Sequence, residues 1–235
     1  MTKLTLLQLK KELKSLANPK QAKILQRFFK TGLGQYGEGD IFLGIKVPAQ
    51  REVANKYTHL SFANIKDLLK SKIHEHRLVG VLILVSKYKG VGEQEKKKIF
   101  NFYIKNYQGI NNWDLVDLSA PNIVGDYLLN KNKDILYKLA KSKNLWQKRI
   151  AIISTFTFIK NNKFNDTLKI SKLLLNDDHD LIHKAVGWML RELGKRDQKI
   201  EEEFLKKHVR KMPRTMLRYA IERFPEKKRK FYLVK

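Results

Sequence analysis

One pattern constrains the fold of this chain more than any other: an apolar helix introduced by a basic residue, returning at nearly constant intervals. Arg77 precedes LVGVLILVSKY, Arg149 precedes IAIISTFTFI, Lys184 precedes AVGWMLREL and Arg214 precedes TMLRYAIERF, while a fifth segment, WDLVDLSAPNIVGDYLL, opens at Trp113. Successive offsets are 36, 36, 35 and 30 residues. Helix pairs recurring every 30 to 45 residues or so mark HEAT-like, armadillo or tetratricopeptide arrays. Tetratricopeptide signature residues are missing, so the pattern predicts a HEAT-like helical-repeat solenoid. The expected fold is all-α, an α–α superhelix in which one helix of each pair lines a concave surface. Residues 1–235 are expected to form a single HEAT-like repeat domain.

The segments between agree with helices of two to four turns. LTLLQLKKELKSLA spaces its leucines helically and stops near Asn18-Pro19. Pro19 then suits a first helical turn, where its missing N–H is no loss. Gly32 to Asp40 (GLGQYGEGD) reads as a loop, Pro48 starts a helix and Ser61 caps another. VGVLILVSKY (79–88) and IAIISTFTFI (150–159) are rich in β-branched residues and resemble buried strands. Their cap-like basic flanks and the absence of hairpin turn chemistry favour interior helices.

Charge narrows the function. Lys and Arg number 49 against 23 Asp and Glu, a net charge of +26. Such an excess repels itself, and a polyanionic partner relieves it. Nucleic acid is the leading candidate. A protein–protein scaffold leaves the charge unexplained. No cysteine is present, which excludes disulfides, thiol nucleophiles and Cys-type metal sites. The N-terminal MTKLTLLQLKKELK alternates charged and apolar residues, unlike a signal peptide or anchor. No apolar run reaches the roughly 20 residues of a membrane-spanning helix. A cytoplasmic protein with no membrane association is expected.

Three tryptophans stand at helical spacing from a charge: Trp113 with Asp117, Trp146 with Arg149, and Trp188 with Arg191. Any one pair reads as a core-filling indole with its charge directed to solvent. Recurrence in three repeats argues for a shared surface, because equivalent solenoid positions align. Asp114 is read as a structural or capping residue at a helix start. His74 and His76, flanking Glu75, are read as solvated surface. His179 and His183 lie four apart but lack the HExxH glutamate and a third ligand, so no metal site is expected. KKRK at 227–230 reads as a solvated tail or a non-specific phosphate contact.

NNWDLVDLSAPNIVGDYL (111–128), NLWQKRIAI (144–152) and AVGWMLREL (185–193) resemble three well-marked stretches of the AlkD family of alkylpurine DNA glycosylases. YGEGDIFLGIKVPAQR (36–51) resembles the N-terminal signature of their relatives. The resemblance implies hydrolysis of the N-glycosidic bond of N3- or N7-alkylated purines, such as 3-methyladenine and 7-methylguanine, in double-stranded DNA. It implies catalytic roles for Asp117, Trp113, Arg149 and Trp188, and a DNA-backbone contact at Arg191. Lys148, Lys184, Arg51 and Arg214 are further DNA-binding candidates, together with Phe28 and Lys46. Phe28 stands where the best-known member has tyrosine, and Lys46 where it has glutamine. No metal, cofactor or obligate protein partner is implied, and a monomer is expected. A non-catalytic HEAT-repeat binder of nucleic acid or damaged DNA is the competing reading. It has no use for a carboxylate that would repel phosphate.

Overall fold

The computed structural model describes residues 4–234, and these form an all-α helical-repeat protein. The chain divides into two compact units, the first ending at Ser119 and the second starting at Ala120. Among the described residues, the sole strand-like feature is an isolated parallel bridge between Ile41 and Ile73. No described helix is long and apolar enough to cross a membrane.

In the first unit, α1 (Leu6–Ser15) and α2 (Pro19–Phe28) lead to a turn-rich segment, then α3 (Val47–Lys56), α4 (Phe62–Leu69), α5 (His74–Tyr88) and α6 (Glu93–Lys105). The last element, α7 (Trp113–Ala120), ends where the second unit begins. Thr5 and Gln8 form a reciprocal capping box on α1, and residues 1–3 of the N-terminal segment lie outside the described residues. Asn18 caps α2 ahead of Pro19, and the Ser61 hydroxyl accepts the Asn64 N–H of α4 at 3.2 Å. Helix α5 is buried along most of its length and packs against α3, α4 and α6. That all-round burial explains its strand-like composition: an interior helix has no polar face to display.

The second unit begins with Pro121–Gly125, a π-helical turn, and α8 (Asp126–Leu128), followed by α9 (Asp134–Ala140), α10 (Leu145–Lys160) and α11 (Asn165–Leu173). Next come α12 (Asp180–Gly194), α13 (Gln198–His208), α14 (Arg214–Ala220) and α15 (Glu226–Val234). Two layers are evident: α10, α12 and α14 pack in succession, and α9, α11 and α13 each pack beside a member of that row. Three of the five recurrent segments of the sequence, those at Arg149, Lys184 and Arg214, form the row of α10, α12 and α14. Gly187 makes the α12–α14 contact close, since a Cβ there would meet the Met216 carbonyl at 2.5 Å. KKRK belongs to α15 rather than to a tail, with Lys228 paired to Glu202 and Lys230 to Glu226.

Candidate functional site

Asn112, just before α7, accepts the Trp113 N–H at 2.8 Å. The indole of Trp113 then lies nearly parallel to Phe29 (centroids 5.1 Å, 10°) and meets Phe28 edge-on at 5.9 Å. Phe29 stacks in turn on Phe42, and Phe42 on His74 at 4.5 Å. An aromatic column therefore runs from exposed Phe28 (62 % accessible) to a buried imidazole. Phe29 covers one face of the Trp113 indole. Asp117, one helical turn after Trp113, is half-buried, and its charge reaches the buried Tyr103 phenol. Burial raises the Tyr103 pKa most, and Asp117 adds to the rise.

The base of the column is a cluster of charges that sequence reasoning misplaced. His74, Glu75 and His76 are buried, not solvated. His74 Nε2 lies 2.8 Å from Asp114 Oδ2, and its Nδ1 lies 3.5 Å from Asp40 Oδ2. Arg77 donates to the same Asp40 oxygen at 2.6 Å and Asn112 at 3.3 Å. Burial disfavours the imidazolium, yet the charge and hydrogen bond of Asp114, with Asp40, outweigh it and hold the His74 pKa above its ordinary value. Burial likewise opposes ionised Asp40, but the His74 hydrogen bond and Arg77 bring its pKa below the usual range. Glu75 accepts N–H bonds from Leu43, Gly44 and Ile45 at 2.9, 2.8 and 3.3 Å. Gly44 has φ +85°, a conformation costly for any residue with a Cβ. Asp114 has the structural role expected of it, through His74 and the Leu115 N–H. The sequence signal was available in HEHR: His74 and Arg77 lie three apart on one helix face.

The remaining first-unit candidates are surface residues. Lys46 is exposed at the N-cap of α3, and Arg51 is exposed on the same helix.

In the second unit, Arg149 is buried and donates to the Leu181 carbonyl at 2.6 Å. Trp146 is buried in the same helix, so it belongs to the core. Trp188 is half-buried, near Phe156, with its indole N–H on Glu192 at 3.1 Å. The basic candidates hold protein partners. Lys148 pairs with Asp177, Lys184 with Asp180 at 2.6 Å, and Arg191 with Glu222. Arg214 donates to the Leu233 carbonyl. His179 caps α12 by accepting the Leu181 N–H, and His183 meets the Asp177 carbonyl.

The all-α repeat fold and the net charge of +26 define a class, that of basic helical-repeat proteins. The chain belongs to the DNA alkylation repair enzyme family, whose model it matches over residues 9–224. Family membership assigns it a role in DNA repair. A solved structure described as "Predicted DNA alkylation repair enzyme from Enterococcus faecalis" shares the fold, with a TM-score of 0.71 and 17% identity. The match covers 89% of this chain and 97% of that one. No curated protein matches the chain.

Proposed function

We propose that the protein is a monofunctional DNA glycosylase that hydrolyses the N-glycosidic bond of N3- and N7-alkylated purines in duplex DNA. The observation that carries this reading is the half-buried Asp117 carboxylate one turn from Trp113, in a chain of the DNA alkylation repair family. Alkylation at N3 or N7 places positive charge on the purine and makes it a good leaving group. The C1′–N bond breaks with its electron pair going to the base, which leaves neutral. Cationic character builds on the deoxyribose, where a carboxylate stabilises it electrostatically. Water then bonds to C1′ and gives up a proton, and Asp117 is the acceptor or orienting group for it. The substrate supplies the activation, so the scheme includes no metal or general acid.

Trp113 and Trp188 are assigned to the cationic nucleotide through indole faces, each contact contributing roughly 0.5–2 kcal/mol. For Trp113 this uses the face opposite Phe29. Arg149 is proposed as a catalytic-site arginine. Arg191, Lys148, Lys184, Arg214, Lys46, Arg51 and Phe28 are proposed DNA contacts. The second-unit cations among them exchange their present partners for phosphate on binding. The proposal includes one HEAT-like array over residues 1–235 acting as a monomer on alkylated duplex in the cytoplasm. Release of 3-methyladenine or 7-methylguanine from methylated duplex tests it, since a non-catalytic binder retains DNA affinity but frees no base.

A further inference from the structure

The second unit treats the cations of its two rows differently. On the row of α10, α12 and α14, Lys148, Lys184 and Arg191 are each paired with a carboxylate. On the other row, Lys169 and Lys172 stand one turn apart on α11. Lys207 near the end of α13 is followed four residues later by Lys211, in the turn Val209–Lys211. All four are exposed, and none forms an ion pair among the described residues.

These cations converge. A groove of about 290 Å³ between α11 and α13 is lined by Lys169, Lys172 and Lys207, together with apolar Leu168, Ile200 and Phe204. His208 lines it too, its ring 4.6 Å from that of Phe204. Burial lowers the His208 pKa most, and Lys172, Lys211 and Lys207 lower it further, so charges from both helices and the following turn act on one imidazole. Glu203 is the single acidic residue lining the groove, against three lysines. Like charges gathered in this way oppose folding, and a polyanion bound across them relieves the repulsion. Phe204 is 7 % exposed, which leaves no open ring face for a base to stack on. The complementary partner is therefore a row of phosphates.

We propose that the α11–α13 face is a second DNA-binding surface, which holds the backbone of a duplex segment other than the one engaged by the proposed catalytic residues. DNA is the phosphate source because the family acts in DNA repair. The inference needs that role alone and stands whether or not the protein excises bases. Contacts to phosphate position a duplex without reading its bases, so this surface is indifferent to sequence and lesion. Its lysines lie on α11, on α13 and in the turn after it, whereas Arg149, Trp188 and Arg191 lie on α10 and α12. One chain thus holds two duplex segments at once, and can pass from one to the other without complete release.

Sedimentation of the full chain with a short undamaged duplex, at roughly physiological salt, reads how many duplexes one chain holds. Two are expected at saturation. The second step should weaken with salt at a logarithmic slope of about −3 to −4, as for four neutralised phosphates. Lys169→Gln, Lys172→Gln, Lys207→Gln and Lys211→Gln combined should weaken that step about tenfold or more and leave one duplex per chain. All four positions are exposed, so the variant should fold, which circular dichroism verifies. The control removes the same charge from exposed residues of the first unit: Lys66→Gln, Lys89→Gln, Lys97→Gln and Lys105→Gln combined should still bind two. One duplex per chain in the wild type, two in the α11–α13 variant, or equal loss in the control would each overturn the proposal. In the first case, flotation with phosphatidylserine vesicles shows whether the face holds lipid phosphates instead.

Discussion

His74 Nε2 stands 2.8 Å from Asp114 Oδ2, with both side chains buried, and the contact ties the start of α5 to the first turn of α7. Asp114 immediately follows Trp113, so this pair fixes the turn that presents the proposed catalytic face.

The pair makes stability depend on pH. His74 has a raised pKa, so its contribution is complete below the ordinary value of 6.5 and is lost as pH rises through the higher folded value. His76 acts in the opposite sense. Burial first, then Lys10 and Arg77, push its pKa down to about 4, so its contribution is present above 6.5 and lost as pH falls toward 4. His74→Ala leaves Asp114 without its charged partner and should destabilise by about 3–5 kcal/mol near pH 6. That deficit should shrink as pH rises above 6.5 and through the raised folded value. His76→Gln should reduce the acid sensitivity of the wild type. Thermal unfolding across this pH range checks both, and a pH-independent deficit for His74→Ala would show that the imidazole bridges in its neutral form.

Arg191 is bound to Glu222, so contact with a phosphate requires it to leave one anion for another. Arg191→Ala should reduce the magnitude of the salt slope of duplex binding by about one. Glu222→Gln should tighten binding at low salt, because it frees the guanidinium and removes a repelling charge. Titrations at several salt concentrations measure both. An unchanged slope in Arg191→Ala, with no gain in Glu222→Gln, would make Arg191 an internal strut between α12 and the segment after α14.

Glu201 is buried on α13, with Oε1 lacking a partner. Burial, with a smaller push from Glu202 against Arg191, raises its pKa to about 8. The folded state therefore holds this proton more tightly than the unfolded chain does. Stability should decline as pH rises from the ordinary carboxylate value of 4.5 to about 8. Glu201→Gln should flatten that decline and raise the thermal midpoint at pH 8. Parallel slopes for the two proteins would mean that Glu201 ionises as readily when folded as when unfolded.

The repeat was legible in the sequence because its register depends on local pattern: Arg77, Trp113, Arg149, Lys184 and Arg214 each fall at or near the start of a helix of the recurrent set. Segments 79–88 and 150–159 were ambiguous because a helix buried on all sides loses the periodicity that identifies it. The Trp113–Asp117 spacing marked the candidate face, but spacing could not separate half-buried Trp113 from core Trp146. The buried cluster was misread for a different reason. His74 finds its partners Asp40 and Asp114 at 34 and 40 residues' remove, a pairing that no local pattern encodes.

Asp117→Asn, assayed by single-turnover release of 7-methylguanine from methylated duplex, tests the central claim most directly. The substitution keeps the side chain's size and removes the charge offered to the sugar. Excision should slow by about one to three orders of magnitude, given roughly 1.4 kcal/mol per tenfold in rate and a few kcal/mol for one well-placed electrostatic group. Duplex affinity, measured separately, should hold or rise slightly, because a carboxylate near phosphates opposes binding. Asp114→Asn should act mainly on stability, through His74, with a smaller effect on excision by the folded fraction. Full-rate excision by a folded Asp117→Asn, or no base released by the wild type, would contradict the account.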